Sequence, residues 1–303
     1  MGYKLKAGQG IQKGIRRVLV EEIDDALRAL THPSRVASIH DARKRVKRIR
    51  AALRLARGAL GRRTFTREND DFRELGRRLS AARDAEVLVL AFDKIKPDFT
   101  AAPLRRGVGI VGRFVREKRR AVLKSVMGRG NAVDQARTGL RRARRRAQRL
   151  TVRGKEWPAL VPGFARVYGQ GQDRCEIAYD KQSPEDFHAW RRRVKDLTFQ
   201  IRLLRGVWPA VFEAWVADLD ALSDLLGDDH DLAVLHGTIG GELHDVLNPG
   251  DRDGLLAGID RRRASLEADA RPLGRRLYAE PVKSVSDRIE AYWSAWRLAK
   301  REE

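Results

Sequence analysis

The chain has 303 residues, with 63 Lys and Arg against 41 Asp and Glu, a formal net charge of +22 and a pI near 10.9. That balance points to a polyanionic partner, whether nucleic acid, an acidic membrane surface or a phosphate polymer, and the 42% hydrophobic content is enough for a sizeable core. A single cysteine, Cys175, excludes an internal disulfide and a cysteine-based zinc site.

The opening "MGYKLKAGQG" lacks the apolar run of a secretory signal, and Lys6 stands where a myristoylation motif has Ser or Thr. No apolar run approaches the length of a membrane span, so a cytoplasmic protein without membrane contact is the expectation. Sparse prolines between periodic segments predict helices at about 11–30, 36–60, 68–94, 104–127 and 132–150. After "EWPALVPG", the main joint, helices are predicted at about 164–180, 184–206, 210–237, 252–279 and 282–300. No strand-like alternation competes, and an all-α fold of packed helical bundles follows.

The two halves resemble each other. "HDARKRVK" from His40 aligns with "HAWRRRVK" from His188, and "LGRRLSAARDAEVL" (75–88) aligns with "LSDLLGDDHDLAVL" (222–235) at nearly the same offset. This register predicts an internal duplication and a pseudo-two-fold arrangement within one domain over about 11–300, with half-repeats at about 11–150 and 158–300. On a helix, Ile39, Ala42, Val46, Ile49, Leu53 and Leu60 form a core stripe, and His40, Arg43, Lys44, Lys47 and Arg54 gather on another face. In the second copy Phe187, Trp190, Val194, Leu197 and Ile201 form the core stripe, opposite His188, Arg191, Arg192, Lys195 and Arg202. Like charges at these spacings destabilise a helix, and neither stripe holds an acidic residue. A bound anion that supplies the missing charge is the expectation; the alternative is a solvated face.

"FHAWRRRVKDLTFQIRLL" followed by "LLGDDHDLAVL", with the earlier "IHDARKRVKRIRAAL" and "ARDAEVL", resembles the CHAD family, the conserved-histidine α-helical domain, over most of the chain. The resemblance implies two helical bundles with a basic channel between them that binds long-chain inorganic polyphosphate, in some members at polyphosphate granules. It places the family's histidine at His40 and His188, and its basic positions at Arg43, Lys44, Lys47, Arg191, Arg192 and Lys195. It extends less firmly to Arg16 and Arg17, to Arg166, Tyr168 and Arg174, and to Arg113, Arg116, Arg120 and Lys124. Arginine forks and lysine ammonium groups suit a ligand made only of phosphate oxygens, and a nearby polyanion would raise a histidine pKa.

Other readings of the same residues are weaker. "DDHD" at 228–231 suggests a metal-dependent phosphohydrolase, but Arg83 stands opposite His230 and Ala189 opposite Asp41 in the internal alignment, so each half lacks a ligand of the other. Asp84 and Asp231 read instead as structural partners of basic groups. His32, His236 and His244 read as boundary histidines, Cys175 as a small buried residue, and the six tryptophans as packing. No Glu-x-Glu-x-Lys, P-loop or nucleophile–base pair is present, so no catalysis, cofactor or metal is expected. "RTGLRRARRRAQR" at 137–149 could serve nonspecific nucleic-acid binding, and a granule-tethering role is permitted; protein partners are not legible.

Overall fold

The computed structural model describes residues 2–31, 36–127 and 132–302; His32 lies outside the described residues. They form twelve α-helices, with no strand among them. The first half contributes α1 (Ile11–Ala29), α2 (Val36–Leu55), α3 (Arg57–Leu60), α4 (Arg62–Arg78), α5 (Ser80–Ile95), α6 (Arg105–Met127) and α7 (Ala132–Gln148). The second contributes α8 (Val161–Lys181), α9 (Pro184–Leu204), α10 (Pro209–Gly240), α11 (Pro249–Leu277) and α12 (Val282–Glu302).

The starts of α9 and α11 follow from local chemistry. Ser183 Oγ accepts from the Asp186 backbone N–H at 3.1 Å and donates to its carboxylate at 2.7 Å, with Pro184 as the first helical residue. Asn248 caps α11 in the same way, accepting from the Asp251 N–H at 2.8 Å. The first of these caps fixes the register in which α9 presents its basic residues.

Two helices expected to be continuous are broken. The segment expected at 36–60 ends at Leu55, and α3 closes at Gly61, whose φ of 73° suits a residue without a Cβ. The segment expected at 68–94 starts earlier and breaks at Leu79, where ψ turns to 6°. Before the break Phe72 and Leu75 of α4 are buried in one hydrophobic core, and beyond it α5 runs from that core at Ala82 into a second one at Leu88, Phe92 and Ile95.

These two cores do not follow the two sequence halves. The larger runs from Tyr3 and Leu5 to Trp293 and holds the packed faces of α1, α2, α4, α7, α8 and α9. The smaller combines α5 and α6 with the C-terminal part of α10 and the N-terminal part of α11, and so draws on both halves. On α10, Leu219, Leu222 and Leu226 belong to the first core, and Leu232, Leu235 and Ile239 to the second.

The core stripes of α2 and α9 lie where periodicity predicts: Ile39, Ile49, Trp190 and Val194 are completely buried. Each such side chain contributes about 1.5–3 kcal/mol relative to exposure. The joint at 149–160 is itself packed, with Trp157 buried against Phe164 and Trp293. Immediately after it, a Cβ at Gly163 would lie 2.1 Å from the Leu55 carbonyl oxygen, so only glycine lets α8 approach the end of α2 this closely.

Candidate functional site

Because α2 and α9 pack side by side in the large core, their polar stripes face the same space. It is closed on the other side by α5 and α10, at the point where both leave one core for the other. The result is a cavity of about 500 Å³. α2 supplies His40, Arg43, Lys44 and Lys47, and α9 supplies Arg191, Lys195 and Arg202. α5 adds Arg83 and Asp84, and α10 adds Asp220, Asp224, His230 and Asp231. Seven side chains that are cationic at neutral pH thus face four carboxylates, an excess of three positive charges before either histidine takes a proton.

The carboxylates temper the expectation that only a ligand could offset the basic stripes. Arg202 is hydrogen-bonded to Asp220, and Arg43 approaches Asp84 at 4.0 Å while donating to the Gly76 carbonyl at 2.8 Å. The acids come from α5 and α10, which is why a search along α2 and α9 does not find them. Four cations still crowd around Lys47. Its side chain reaches solvent through the cavity mouth, yet burial and the charges of Arg43, Arg191, Lys195 and Arg83 push its ammonium down to about 8. Burial pushes Asp231 up to about 6 against the pull of Arg191 and Arg83.

The histidines are held neutral. Partial burial followed by Arg83, Lys47, Lys44 and Arg43 lowers His40 from its ordinary value. His188 does not line the cavity itself; its ring lies against His230, which does, with centroids 3.9 Å apart. Burial and neighbouring arginines bring His188 down to about 4, and burial and His188 bring His230 to about 3. His188 Nδ1, Arg191 Nε and Arg202 Nε are buried without a hydrogen-bond partner. Arg191 lies across Gly227 of α10, where a Cβ would meet its guanidinium at 3.3 Å.

Of the residues singled out in the sequence, the cavity brings together His40, Arg43, Lys44, Lys47, Arg191, Lys195 and Arg202. The others lie elsewhere. Arg54 is half-buried and donates to Asp196 of α9 at 2.7 Å. Arg192 lines a separate pocket with Arg174 and Arg193 on α8 and α9, and Arg174 approaches Asp186 at 3.9 Å. Arg17 is held by Gln9, Glu21 and the Lys4 carbonyl, and Arg16 by the Leu150 carbonyl.

Tyr168 is a core residue whose hydroxyl donates toward the Leu277 and Glu280 carbonyls. Arg166 is exposed on α8. On α6, Arg116 pairs with Asp93 at 2.7 Å, Arg120 approaches Glu117 at 4.0 Å, and Arg113 and Lys124 are exposed. A helical wheel locates the face opposite the core but cannot say which neighbour stands there, and these placements follow from that.

Arg83, His230, Asp220 and Asp224 line the cavity without having been singled out as ligand-binding groups. A signal for two of them existed: Arg83 and His230 occupy matched positions in the internal alignment, one residue before the matched Asp84 and Asp231. Elsewhere, His236 approaches Asp260 at 3.5 Å and His244 lies 2.7 Å from Asp245. Trp208, expected to pack, is 47% exposed beside Tyr292. Burial pushes the Cys175 thiol up to about 11. Among the described residues no group of three or more His, Cys, Asp or Glu is placed to hold a metal, and no helix is long and apolar enough to cross a membrane.

The family model of the CHAD domain matches residues 15–240, a span that carries all four walls of the cavity. The chain belongs to the CHAD family. Among solved structures, the crystal structure of the CHAD domain from the plant Ricinus communis matches with a TM-score of 0.65 at 22% identity, over 92% of this chain and 95% of that one. At that identity the likeness speaks for the fold. Comparison with curated proteins gives no match.

Proposed function

We propose that this CHAD protein binds long-chain inorganic polyphosphate, without turning it over, in the cavity framed by α2, α5, α9 and α10. The observation that carries the reading is the convergence of seven cations from three helices on one space of about 500 Å³, with the guanidinium Nε of Arg191 and of Arg202 left without an acceptor. A phosphate polymer offers an acceptor at every unit and needs no base-reading surface. Each charge-assisted contact contributes on the order of 1.5–3 kcal/mol, less where water screens it. The fit is to a thin chain approached from several sides.

The duplicated register of Arg43 with Arg191 and of Lys47 with Lys195, all four at the cavity, supports a pseudo-symmetric site in which α2 and α9 play equivalent parts. In this reading the protein resides in the cytoplasm and associates with polyphosphate granules. Competition titration at about 0.15 M salt tests the reading: labelled polyphosphate is displaced by pyrophosphate, heparin or tripolyphosphate at matched charge. Selectivity for long polyphosphate by tenfold or more is expected. Equal displacement by every competitor would mean that the +22 charge acts only as a general polyanion surface.

A further inference from the structure

A second basic concavity lies away from the cavity, between the start of α4 and the end of α7. It encloses about 1050 Å³, twice the cavity's volume, and eight arginines line it with no lysine among them. Two of the eight are neutralised: Arg67 by Glu68, and Arg146 by Glu68 at 3.0 Å and Asp71 at 2.6 Å. The remaining six, Arg62, Arg63, Arg142, Arg145, Arg149 and Arg153, are exposed and have no ion-pair partner among the described residues. So many unpaired guanidinium groups repel one another unless an anion joins them.

This groove is not an extension of the cavity. Arg43 meets α4 at Gly76, fourteen residues from Arg62 and so about 21 Å along the helix axis. The surface between them, along α4 and α7, is charge-balanced: Asp71, Glu74 and Asp134 stand beside Arg78, Arg142 and Arg146, and Asp71 and Glu74 are paired with Arg146 and Arg78, so the excess of positive charge does not run on from the groove to the cavity.

We infer that the groove is a nucleic-acid site that grips the sugar-phosphate backbone of a duplex independently of polyphosphate in the cavity. Four features favour this ligand over a second polyphosphate chain. The groove is broad, and its charges come from two facing helices rather than from all round. Thr64 and Thr151 set hydroxyl groups among the arginines, each both donor and acceptor, which suits the hydroxyl and ether oxygens of a sugar, while Leu60 and Leu150 lie buried beneath them. The arginines offer planar forks for phosphodiester oxygens. No aromatic side chain lines the groove, so binding through the backbone of a duplex fits better than stacking on unpaired bases. Arg142, Arg145 and Arg149 belong to the basic run at 137–149, which the cavity does not use.

The test titrates a labelled 24-base-pair duplex of mixed sequence, and separately labelled polyphosphate, against the full chain over a range of salt. The variants are R142Q/R145Q/R149Q, R62Q/R63Q on the opposite wall, and K47Q/K195Q in the cavity; thermal melting checks their folding. Both groove variants are expected to weaken duplex binding, the triple variant about tenfold or more with a salt slope reduced by about 2.7. Polyphosphate affinity should stay within about twofold. The cavity variant should do the reverse, and polyphosphate-saturated protein should still bind duplex. Unchanged duplex affinity in both groove variants would overturn the inference, as would groove variants that lose polyphosphate instead. Loss of duplex binding in K47Q/K195Q alone would place both ligands in the cavity. Failure of polyphosphate binding to respond to K47Q/K195Q would count against the cavity reading and leave the groove result standing.

Discussion

The imidazole rings of His188 on α9 and His230 on α10 lie 3.9 Å apart at centroid, inclined by 34°. Two rings this close, with Arg191 and Arg192 alongside, cannot both carry a proton cheaply, and their values of about 4 and 3 follow. The unfolded chain takes up protons on both below its ordinary value of about 6.5, whereas the folded protein does not until near pH 4. Their contribution to stability is therefore complete above about pH 6.5 and declines as the pH falls toward 4. In ligand-free protein, H230Q should reduce the drop in Tm between pH 7 and 5 relative to wild type. An equal drop in both would show that the pair does not control acid stability.

Ligand binding should act in the opposite sense. A polyanion in the cavity favours the protonated form of Lys47, Asp231, His40, His188 and His230, so binding takes up protons and affinity rises as pH falls. Between pH 8.5 and 6 the first gain comes from Lys47, which regains its charge below about 8, and the next from Asp231, which starts to lose its charge near 6. Polyphosphate titrations at pH 6, 7 and 8.5 should show a steady tightening. Calorimetry in two buffers of different ionisation enthalpy should report the proton uptake directly. A flat profile would contradict this assignment of charge.

The acidic residues of α10 restrain the site. Removing the charge of Asp224 or Asp231 by substitution to Asn should tighten polyphosphate binding roughly three- to tenfold, or about 0.7–1.4 kcal/mol, because each faces Arg191 and Lys195 across the cavity. Weaker binding in both variants would mean that these carboxylates hold the cations in place and do not compete with the ligand for them.

Arg54 has a different task from its neighbours on the α2 stripe. Its pair with Asp196, both side chains about 15% exposed, ties α2 to α9, and Arg193 shares the same carboxylate at 3.3 Å. Breaking a largely buried pair from one side costs about 3–5 kcal/mol. R54A should therefore lower stability in denaturant titrations by an amount near the lower end of that range, with polyphosphate affinity changed less than about threefold. Normal stability with lost binding would return Arg54 to the ligand.

The all-helical architecture was legible because the core stripes of α2 and α9 repeat at helical spacing, from Ile39 to Leu53 and from Phe187 to Ile201. The basic stripes were legible for the same reason, and most of their members do meet in one cavity. The break at Leu79 was not, since no proline or left-handed residue marks it and the chain resumes a helix at once with Ser80. Nor was the role of Asp220 and Asp224, which depends on which helix closes the cavity. The sequence register did pair Arg83 with His230, and the structure places both at the cavity wall. Arg17, Arg166, Tyr168 and Arg174 show the opposite limit: a basic or polar residue on the preceding helix has several neighbours to serve, and here those neighbours are the core, a backbone carbonyl or solvent.

The most direct test is the affinity of labelled long-chain polyphosphate for K47E/K195E compared with wild type at about 0.15 M salt. These two lysines face each other from α2 and α9, and neither holds an ion pair within 4.0 Å among the described residues, so the fold does not depend on them. Reversing both charges turns the cavity's excess of three cations into a deficit of one. Binding is predicted to weaken by about a hundredfold or more, with Tm unchanged or raised, because each reversal replaces attraction by repulsion at the centre of the site. Affinity within twofold of wild type in a folded variant would contradict the account and place polyphosphate outside this cavity.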